Sequence, residues 1–350
     1  MQKLLNLPKK FFFYPLYIIS LGAISSFSLP PYNYFLINFI TFSLFFIFLF
    51  NKRKIIHQNK SFFKYGWYFG FGYFLFSMYW ISLSLTFDQN FKFLIPFVII
   101  LLPSFLAIFF GLVTYLFSMF YSKNASTSLL IFSILFGIME FIRGTIFTGF
   151  PWNLIAFSFS KSIYFIQILS LIGTYSFNLI CISLFTIPAF IILKSSRKEI
   201  LLSFFFISIS TIFLFFGISQ NNKFHSLDSV KHNYTIRAIS PNIELKNFYL
   251  EKNELKIISK LISLSKPNKG QPTIFLWPEG IIPDSNLRDI KTYKYLFKET
   301  FDDDDIIIMG IKNIKYYDNK KIFYNSMAIF NNKLNLIEHY NKVNLVPFGE

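Results

Sequence analysis

Two short segments in the last third of the chain contain residue types suited to general base catalysis and to stabilising a negative charge. Glu279 stands just beyond the apolar run Thr273–Trp277, and Lys342 follows the run Leu334–Tyr340. A carboxylate at the end of a buried strand is placed to accept a proton, and a lysine can stabilise a developing oxyanion. Glu350, eight residues after Lys342, is placed to hold that lysine or a substrate ammonium group. We therefore expect a catalytic site built on two carboxylates and a lysine.

The chain offers no obvious nucleophile to complete this site. Its single cysteine, Cys181, lies within the apolar run Ile163–Leu193. Because apolar surroundings disfavour the thiolate, we interpret Cys181 as a packing residue and reject it as the attacking group. The four histidines lack metal-ligand spacing, and the sequence implies no metal and no cofactor. The prediction is a base, an oxyanion partner and a supporting carboxylate without their nucleophile.

The composition is typical of a membrane protein. Hydrophobic residues make up 53% of the 350 residues and charged residues only 15%, and the mean hydropathy is +0.47. A soluble chain of this length would be less apolar and richer in charge. The formal charge of +16 does not indicate nucleic-acid binding, because the basic residues lie largely in short loops between apolar runs and form no stripe.

Seven apolar runs are long enough to be candidates for crossing a hydrocarbon layer of ~30 Å. They are Phe11–Leu29, Tyr34–Phe50, Phe62–Leu85, Phe93–Tyr121, Ser128–Ile142, Ile163–Leu193 and Ile200–Ser219. The fifth is the shortest. The first follows three lysines but lacks a signal-peptide cleavage site, so we expect a retained anchor. The sequence predicts a multi-pass α-helical membrane domain over residues 1–220.

The distribution of lysine and arginine predicts the orientation, because these residues are enriched in cytoplasmic loops. With a cytoplasmic N-terminus, eleven basic residues fall on the cytoplasmic side and three, Lys92, Arg143 and Lys161, on the other. Seven crossings then place the chain after about residue 220 on the outer face. We expect the C-terminal domain to be exported.

Glu140 and Arg143 are charged residues near the end of the fifth apolar run. A charge at mid-membrane costs roughly 2.5–3.5 kcal/mol, so the two should pair, lie at the interface or line a wet cavity. The loop Thr148–Asn153, with turn-forming residues and an interfacial tryptophan, follows at once. Two interpretations stay open: an interfacial anchor pair, or part of a substrate chamber together with Trp152. Trp277, beside the predicted base, is a further chamber wall.

After about Lys231 the pattern changes to that of a soluble α/β domain, in which apolar strand-like runs alternate with helical stripes before a hairpin. The predicted strands are Tyr234–Ile239, Thr273–Trp277, Ile306–Met309, Ile322–Phe330 and Leu334–Tyr340, and the predicted helices are Phe248–Ser265 and Leu287–Thr300. Gly310 is expected to close the third strand, and Asp302–Asp305 to form a solvated turn. We predict a domain over residues 231–350 that is incomplete at its C-terminus.

These residues together resemble the apolipoprotein N-acyltransferases, integral membrane enzymes of bacterial lipoprotein maturation whose exported domain belongs to the nitrilase superfamily. Matching strings extend over nearly the whole chain. They are Ser28–Pro31, Gly66–Gly70, Tyr79–Ile81, Glu140, Arg143, Thr148–Asn153, Gln167, Gly173, Tyr175, Pro241–Ile243, Trp277–Glu279, Tyr324–Ser326 and Tyr340–Glu350. The strings Thr-Gly-Phe-Pro-Trp-Asn and Leu-Val-Pro-Phe-Gly-Glu are too specific for chance agreement.

The resemblance implies a fold, an activity and partners. The fold is a multi-pass membrane domain followed by a partial nitrilase-like α-β-β-α sandwich of the carbon–nitrogen hydrolase superfamily. Glu279 matches the family's general base, Lys342 its oxyanion stabiliser and Glu350 its supporting glutamate. The family's cysteine takes an acyl chain from a phospholipid as a thioester. It then passes the chain to the α-amine of the N-terminal diacylglyceryl-cysteine of an apolipoprotein.

The implied partners are therefore a phospholipid donor, an apolipoprotein acceptor and membrane lipids, without a cofactor or a nucleic acid. The implied location is the bacterial inner membrane, with the N-terminus in the cytoplasm and the C-terminal domain on the periplasmic face.

The chain departs from the family pattern at several positions. The family's cysteine is expected some tens of residues beyond Glu350, so the 350 residues alone are expected to be inactive. Ser240 stands where the family has glutamine, Phe248 or Tyr249 where it has tryptophan, and Asn344 where histidine is common. These departures affect the acyl or acceptor pocket.

Two other functions stay open. A membrane-tethered nitrilase-type amidase would use the same triad, although amide hydrolysis needs only one anchor and no lipid chamber. A non-catalytic remnant that binds lipids or lipoproteins is the interpretation if Glu350 ends the native product.

Overall fold

The computed structural model of the chain describes residues 13–86, 89–146, 149–193, 196–227, 232–243, 254–282, 284–317 and 320–345. The chain divides into two compact units, Met1–Leu227 and Asp228–Glu350. The first is a helical bundle, and the second contains a mixed β-sheet with helices.

The main helices of the first unit are α1 Phe13–Ser26, α2 Leu36–Arg53, α3 Asn59–Met78, α4 Ile95–Phe120, α5 Ala125–Thr145, α6 Leu169–Thr186 and α7 Arg197–His225. Turns of 3₁₀ helix extend α3 to Thr86 and begin α4 at Gln89, and a short helix extends the α6 region to Ile192. With these extensions, six helical stretches in the described residues are long and apolar enough to cross a membrane. Six of the seven predicted spans are thereby confirmed as long apolar helices.

The first and fifth predicted spans need separate comment. The described part of α1 is Phe13–Ser26, and the beginning of the predicted span Phe11–Leu29 lies outside the described residues. α5 has 21 residues and is longer than the predicted Ser128–Ile142. It begins earlier because Asn124 caps its N-terminus by accepting a hydrogen bond from the Ser126 backbone N–H.

Phenylalanine rings fill the interior of the first unit. Phe45 stacks on Phe69 with ring centroids 4.3 Å apart, and Phe110 packs edge-on against Phe136 at 4.6 Å. α1 and α3 approach closely because Gly22 has no side chain, and a Cβ there would lie 1.9 Å from the Phe69 carbonyl oxygen. Small residues at such contacts are typical of helix packing in membranes.

A buried carboxylate joins the first turns of α5 and α7. Ser196 and Glu199 form a capping box that starts α7, in which Glu199 Oε2 accepts from the Ser196 backbone N–H at 2.9 Å. Glu199 Oε1 accepts from the Ser126 backbone N–H, in the first turn of α5, at 3.1 Å. Helix N-termini favour negative charge. The two helices therefore begin at the same end of the bundle, as spans separated by a single crossing must.

The second unit contains a five-stranded sheet in the order β1-β2-β3-β4-β5. Its elements are β1 Thr235–Ala238, α8 Glu254–Ser265, β2 Thr273–Leu276, α9 Lys294–Thr300, β3 Ile306–Tyr317, β4 Lys320–Asn331 and β5 Leu336–Asn341. β1, β2 and β3 are parallel, whereas β3, β4 and β5 are antiparallel. The predicted α/β order and the predicted hairpin are thereby confirmed.

Alternate strand residues face the two sides of this sheet. Phe275, Ile307 and Phe330 are buried with residues of α8 and α9. On the other side, Leu276 and Tyr340 are exposed. The described residues thus form one sheet layer with helices on one of its faces.

β3 is longer than the sequence predicts. Gly310 does not end this strand, because β3 pairs with β4 along its whole length and Gly310 lies opposite Met327. The expected stop at Gly310 was wrong because cross-strand pairing outweighs the weak strand preference of glycine.

The acidic run Asp302–Asp305 is only partly the solvated turn that the sequence predicts. Asp305 is buried and accepts from the backbone N–H groups of Thr273 and Asp302, each at 2.9 Å, and its burial raises its pKa. Asp303 is exposed and lies 2.9 Å from Lys333 Nζ, and this hydrogen bond lowers the pKa of Asp303. The turn is thereby fixed to the start of β2.

Candidate functional site

Glu279 is positioned at the end of β2 by Trp277, two residues before it. The Trp277 backbone N–H donates to the Ile308 carbonyl oxygen at 2.8 Å, which holds the chain against β3. Its indole N–H donates to Ser265 Oγ of α8 at 3.1 Å, and its ring lies 5.4 Å from the ring of Phe297 in α9. Trp277 is predicted as a chamber wall. In the structure the residue borders a cleft, but its indole is packed in the core and anchors the segment that carries the base.

Glu279, Asn325 and Lys342 form a hydrogen-bonded group on the exposed side of the sheet. Asn325 Nδ2 donates to Glu279 Oε1 at 2.7 Å, and Lys342 Nζ lies 3.4 Å from the same oxygen. The Lys342 backbone N–H donates to the Asn325 carbonyl oxygen at 2.8 Å, just beyond the end of β5. The structure therefore brings the predicted base and the predicted oxyanion partner together through the pairing of β4 with β5.

A cleft of about 410 Å³ borders this group. Leu276, Met327 and Tyr340 contribute to its walls, together with Glu279 and Lys342. The Glu279 side chain is 64% exposed and that of Lys342 is 34% exposed, so both are accessible to a substrate. A carboxylate and an ammonium group beside a partly apolar cleft can take a proton from a nucleophile and stabilise the oxyanion of an acyl substrate.

Other predicted positions give less information. Glu350, the predicted supporting carboxylate, lies outside the described residues, and so does Phe248 with its neighbour Tyr249. Ser240, just after β1, and Asn344, just after Lys342, are exposed. Cys181 is buried in α6, as a packing residue should be.

Glu140 and Arg143 form a buried ion pair in the first unit. Arg143 Nη2 lies 2.9 Å from Glu140 Oε1, and each side chain is 1% exposed. Arg143 Nη1 donates to the carbonyl oxygens of Phe150 at 2.8 Å and Trp152 at 2.9 Å. The guanidinium donates both to Glu140 on the helix and to two carbonyl oxygens of the loop. It therefore fixes the loop that follows α5 to that helix.

Asn178 of α6 completes this polar cluster. Its Nδ2 lies 3.5 Å from Glu140 Oε2, and its Oδ1 accepts from the Ala156 backbone N–H at 2.8 Å. Glu140 and Arg143 are neither exposed at an interface nor among the residues that line the adjacent cavity. The pair does not line the cavity, but Arg143 holds the loop whose Trp152 forms part of the cavity wall.

Trp152 itself borders a cavity of about 490 Å³ in the first unit. Its side chain is 51% exposed and its ring lies 5.5 Å from that of Trp80, just after α3. Asn153 ties the loop to α3, because its Nδ2 donates to Ser77 Oγ at 2.8 Å and its carbonyl accepts from the Tyr73 hydroxyl at 2.9 Å. The turn after α1 supplies the other main part of the wall. A largely apolar cavity with two tryptophans at its border suits a hydrocarbon chain.

Asn325 and Gly310 are site residues to which the sequence assigned no role in the site, although Asn325 lies in the matching string Tyr324–Ser326. Asn325 interrupts the alternating apolar residues Phe323, Met327 and Ile329 of β4. That interruption is the signal that could have marked it. Gly310 has no comparable signal in the sequence, because its importance depends on its contact with the backbone of Glu279 in the folded chain.

Comparison with known proteins supports the resemblance. The family model described as the apolipoprotein N-acyltransferase N-terminal domain matches residues 21–187. An apolipoprotein N-acyltransferase of Rhizobium etli is 28% identical over 347 residues, which cover 95% of this chain and 64% of that protein. The protein of the same name from Rickettsia typhi is 32% identical over 295 residues, which cover 82% of this chain and 57% of that protein.

A third relative, the apolipoprotein N-acyltransferase of Brucella melitensis, is 25% identical over 94% of this chain and 63% of its own length. The chain thus spans about three fifths of the length of these curated relatives. In the relatives matched over nearly the whole chain, the match runs through both units and includes the segment that carries Glu279.

Proposed function

Because this chain is a relative of the apolipoprotein N-acyltransferases, we propose that the protein transfers an acyl chain from a phospholipid to the N-terminal diacylglyceryl-cysteine of apolipoproteins. The observation that carries this proposal is the 3.4 Å separation of Lys342 Nζ and Glu279 Oε1 beside an accessible cleft. In the described residues, six helices of membrane-crossing length would give such an enzyme access to its lipid substrates.

Glu279 serves as the general base in both half-reactions of this proposal. It first takes the proton of a cysteine thiol, and the thiolate sulfur forms a bond to the acyl carbonyl carbon of the phospholipid. The bond between that carbon and the ester oxygen breaks, and the lysophospholipid leaves with the proton held by Glu279. The acyl chain is then a thioester.

In the second half-reaction, the acceptor amine forms a bond to the thioester carbon as Glu279 takes its proton. The carbon–sulfur bond breaks, and Glu279 returns the proton to the thiolate. Lys342 stabilises the oxyanion in each tetrahedral intermediate. Asn325 holds the Glu279 carboxylate towards Lys342, and Glu350 is the supporting carboxylate.

The nucleophile of this scheme is a cysteine other than Cys181, which is buried in α6. The 350 residues hold no second cysteine, so the scheme applies to a product that supplies one. The first unit contributes the lipid chamber, in which the cavity beside Trp152 receives hydrocarbon and the Glu140–Arg143 pair maintains its wall.

The proposed location is the bacterial inner membrane, with a cytoplasmic N-terminus and the Asp228–Glu350 unit on the periplasmic face as a nitrilase-like domain. The bias of lysine and arginine towards one set of loops supports this orientation. The shared end of α5 and α7 also supports it, since both helices then start on the lysine-rich side.

The experiment compares the complete gene product with its Glu279→Gln variant in isolated membranes. A phospholipid with a radiolabelled acyl chain is the donor, and the label is followed as a hydroxylamine-sensitive thioester and then on a diacylglyceryl lipopeptide. Glu279→Gln keeps the shape of the side chain but cannot take a proton, so both signals should disappear. Glu338→Gln, on the exposed strand β5, is the matched control and should keep both.

Undiminished thioester formation by the Glu279→Gln variant would refute the assignment of the base. Hydrolysis of an amide substrate by a wild-type product that forms no acylated lipopeptide would instead favour the membrane-tethered amidase. If the wild-type product catalyses neither reaction and its gene encodes no cysteine beyond Glu350, the remaining interpretation is a non-catalytic remnant that binds lipids or lipoproteins.

A further inference from the structure

A groove lined by basic side chains lies in the second unit, apart from the Glu279 cleft. Its volume is about 600 Å³, and it lies between the segment after Ser285 and the strands β3 and β5. The groove and the cleft share no lining residue. Asn313 and Lys315 of the groove alternate along β3 with Gly310, so the groove and Glu279 occupy opposite sides of this strand.

Cations dominate the charge of this groove. Arg288, Lys291 and Lys315 line it, together with His339 of β5. None of its lining residues is acidic. Asp289 lies in the same segment but is not part of the lining, and its carboxylate accepts a hydrogen bond from the Asn286 side chain. The groove therefore carries an excess of positive charge at short range, which favours an anion.

Hydrogen bonds hold one wall of the groove in place. The Leu287 backbone N–H donates to the Lys312 carbonyl oxygen at 3.0 Å and fixes the segment against β3. Asn286 Oδ1 accepts from the Arg288 backbone N–H at 2.8 Å, and the 3₁₀ helix Asp289–Tyr293 follows. Arg288 and Lys291 thus start from an ordered backbone, which lowers the entropy cost of binding a ligand.

The opposite wall is ordered as well. Lys315 is half-buried, and its ammonium nitrogen lies 5.6 Å from the centroid of the Tyr324 ring. Asn313, at the base of this wall, is buried and donates to Asn341 Oδ1 at 3.1 Å. One of the three cations is therefore positioned by packing as well as by charge.

Exposed apolar side chains adjoin these cations. Tyr316 and Tyr317 at the end of β3 and Leu336 at the start of β5 line the groove, and all three are exposed. Tyrosine, aliphatic side chains and lysine occur together where a protein surface meets lipid headgroups. A site for a free anion would not need this apolar border.

We propose that this groove binds the phosphate-bearing headgroup of an anionic phospholipid. The phosphate lies among Arg288, Lys291 and Lys315, and the tyrosines of β3 contact the glycerol and upper chain region. This site is distinct from the acyl donor site and does not depend on acylation. A nucleic acid is a poorer occupant because the described residues include six helices of membrane-crossing length, so lipid is the anion that surrounds this protein.

The test measures hydrogen exchange of the full chain in an uncharged detergent. Peptides that cover residues 286–291 and 312–317 report on the two walls of the groove. The added ligands are dihexanoyl phosphatidylglycerol, dihexanoyl phosphatidylcholine and inorganic phosphate at equal concentrations. Phosphatidylglycerol should slow exchange in both peptides, whereas phosphatidylcholine and inorganic phosphate should not.

The variant Arg288→Gln/Lys291→Gln/Lys315→Gln should raise the half-saturating concentration of phosphatidylglycerol by at least about tenfold. The control Lys256→Gln/Lys260→Gln/Lys269→Gln removes the same charge from exposed positions outside the groove and should leave the concentration unchanged. Unchanged exchange of the buried residues of β4 verifies that each variant is folded.

Equal protection by phosphatidylcholine would overturn the requirement for an anion. Equal protection by inorganic phosphate would overturn the lipid assignment in favour of a simple anion site. If both triple variants lose the protection by phosphatidylglycerol to the same extent, the effect depends on net charge alone, and the proposed site is overturned. If the groove variant is misfolded, the three-ligand comparison on the wild-type chain still decides the question.

Discussion

Gly310 of β3 lies directly against the backbone of Glu279. A Cβ added to Gly310 would stand 2.6 Å from the Glu279 Cα and 2.8 Å from the Gly280 nitrogen, closer than real Cβ contacts allow. The position of the predicted base therefore depends on the absence of a side chain at residue 310.

We expect Gly310→Ala to displace Glu279 from Asn325 and Lys342. The added methyl meets main-chain atoms, so it cannot be accommodated by a change of rotamer, and such overpacking costs about 1–3 kcal/mol. The acylation rate of the complete gene product should fall by more than the loss of folded protein explains. Thermal unfolding and acylation measured on the same samples separate the two effects.

The control for this substitution is Ile236→Ala on β1, an exposed strand residue. It should change stability by no more than about 0.5 kcal/mol and leave acylation unchanged. A Gly310→Ala variant with wild-type acylation would show that Glu279 does not need its position against β3.

Asn325 should hold the Glu279 carboxylate beside Lys342. Its amide donates to Glu279 Oε1 at 2.7 Å, so Asn325→Asp replaces this donor with a second carboxylate. Two carboxylates at this distance repel each other, so the Glu279 side chain should leave its position beside Lys342. The acylation rate of the complete gene product should therefore fall in Asn325→Asp, and further than in Asn325→Ala.

Asn325→Ala removes the donor without adding charge and is the matched comparison. It should lower the acylation rate by roughly tenfold, a smaller loss than Asn325→Asp produces. Equal acylation rates in wild type and Asn325→Asp would contradict a contact between residue 325 and the base during catalysis.

The sequence predicts the membrane helices well because length and hydropathy of a segment nearly determine whether it can cross a bilayer. The ends of the helices are less predictable from the sequence. α5 begins at the Asn124 side-chain cap and ends near Arg143, which donates a hydrogen bond to the Phe150 carbonyl oxygen of the following loop. The order of strands and helices in the second unit was also predictable from local pattern. The length of β3 was not, because it depends on pairing with β4.

The candidate site was predictable only in part, for a similar reason. Glu279 and Lys342 were found from their motifs, but their 3.4 Å contact depends on the register of β4 with β5. The buried position of Trp277 could have been predicted, because it continues the alternation of Phe275 on the buried side of β2. The support given by Arg143 to the Trp152 loop involves main-chain acceptors, which leave no trace in residue types.

The exposed pair of Asp303 and Lys333 should contribute to stability only above the acidic range. The hydrogen bond from Lys333 lowers the pKa of Asp303 from its ordinary value of 3.8. A carboxyl with a lowered folded-state pKa stabilises the fold above the unfolded-state pKa, and this contribution is lost as the pH falls through the folded-state value. Asp303→Asn should therefore lower the thermal midpoint slightly at pH 7, and this deficit should shrink as the pH falls below 3.8.

Asp304→Asn, at the adjacent position, is the control for that comparison. A deficit of Asp303→Asn that grows as the pH falls would have the wrong sign and would contradict the assignment.

The buried pair of Glu140 and Arg143 should show strong energetic coupling. Arg143→Met leaves the Glu140 carboxylate buried without its cation and releases the carbonyls of Phe150 and Trp152, which costs roughly 3–5 kcal/mol. Glu140→Gln leaves the guanidinium with its two carbonyl acceptors but without its anion, so its cost should be smaller. The double variant Glu140→Gln/Arg143→Met should be less destabilised than the sum of the single variants, because it buries no unpaired charge.

Thermal unfolding of the wild type, the two single variants and the double variant in one detergent gives this coupling energy. The control is Lys161→Met, which removes an exposed cation beyond the same loop and should have little effect on the thermal midpoint. If the pair acts through the loop, Arg143→Met should also make the 149–153 segment exchange its amide hydrogens faster than Glu140→Gln does, since Arg143 holds two of its carbonyls. Additive single effects, or equal exchange in both variants, would show that the pair does not support the Trp152 wall of the cavity.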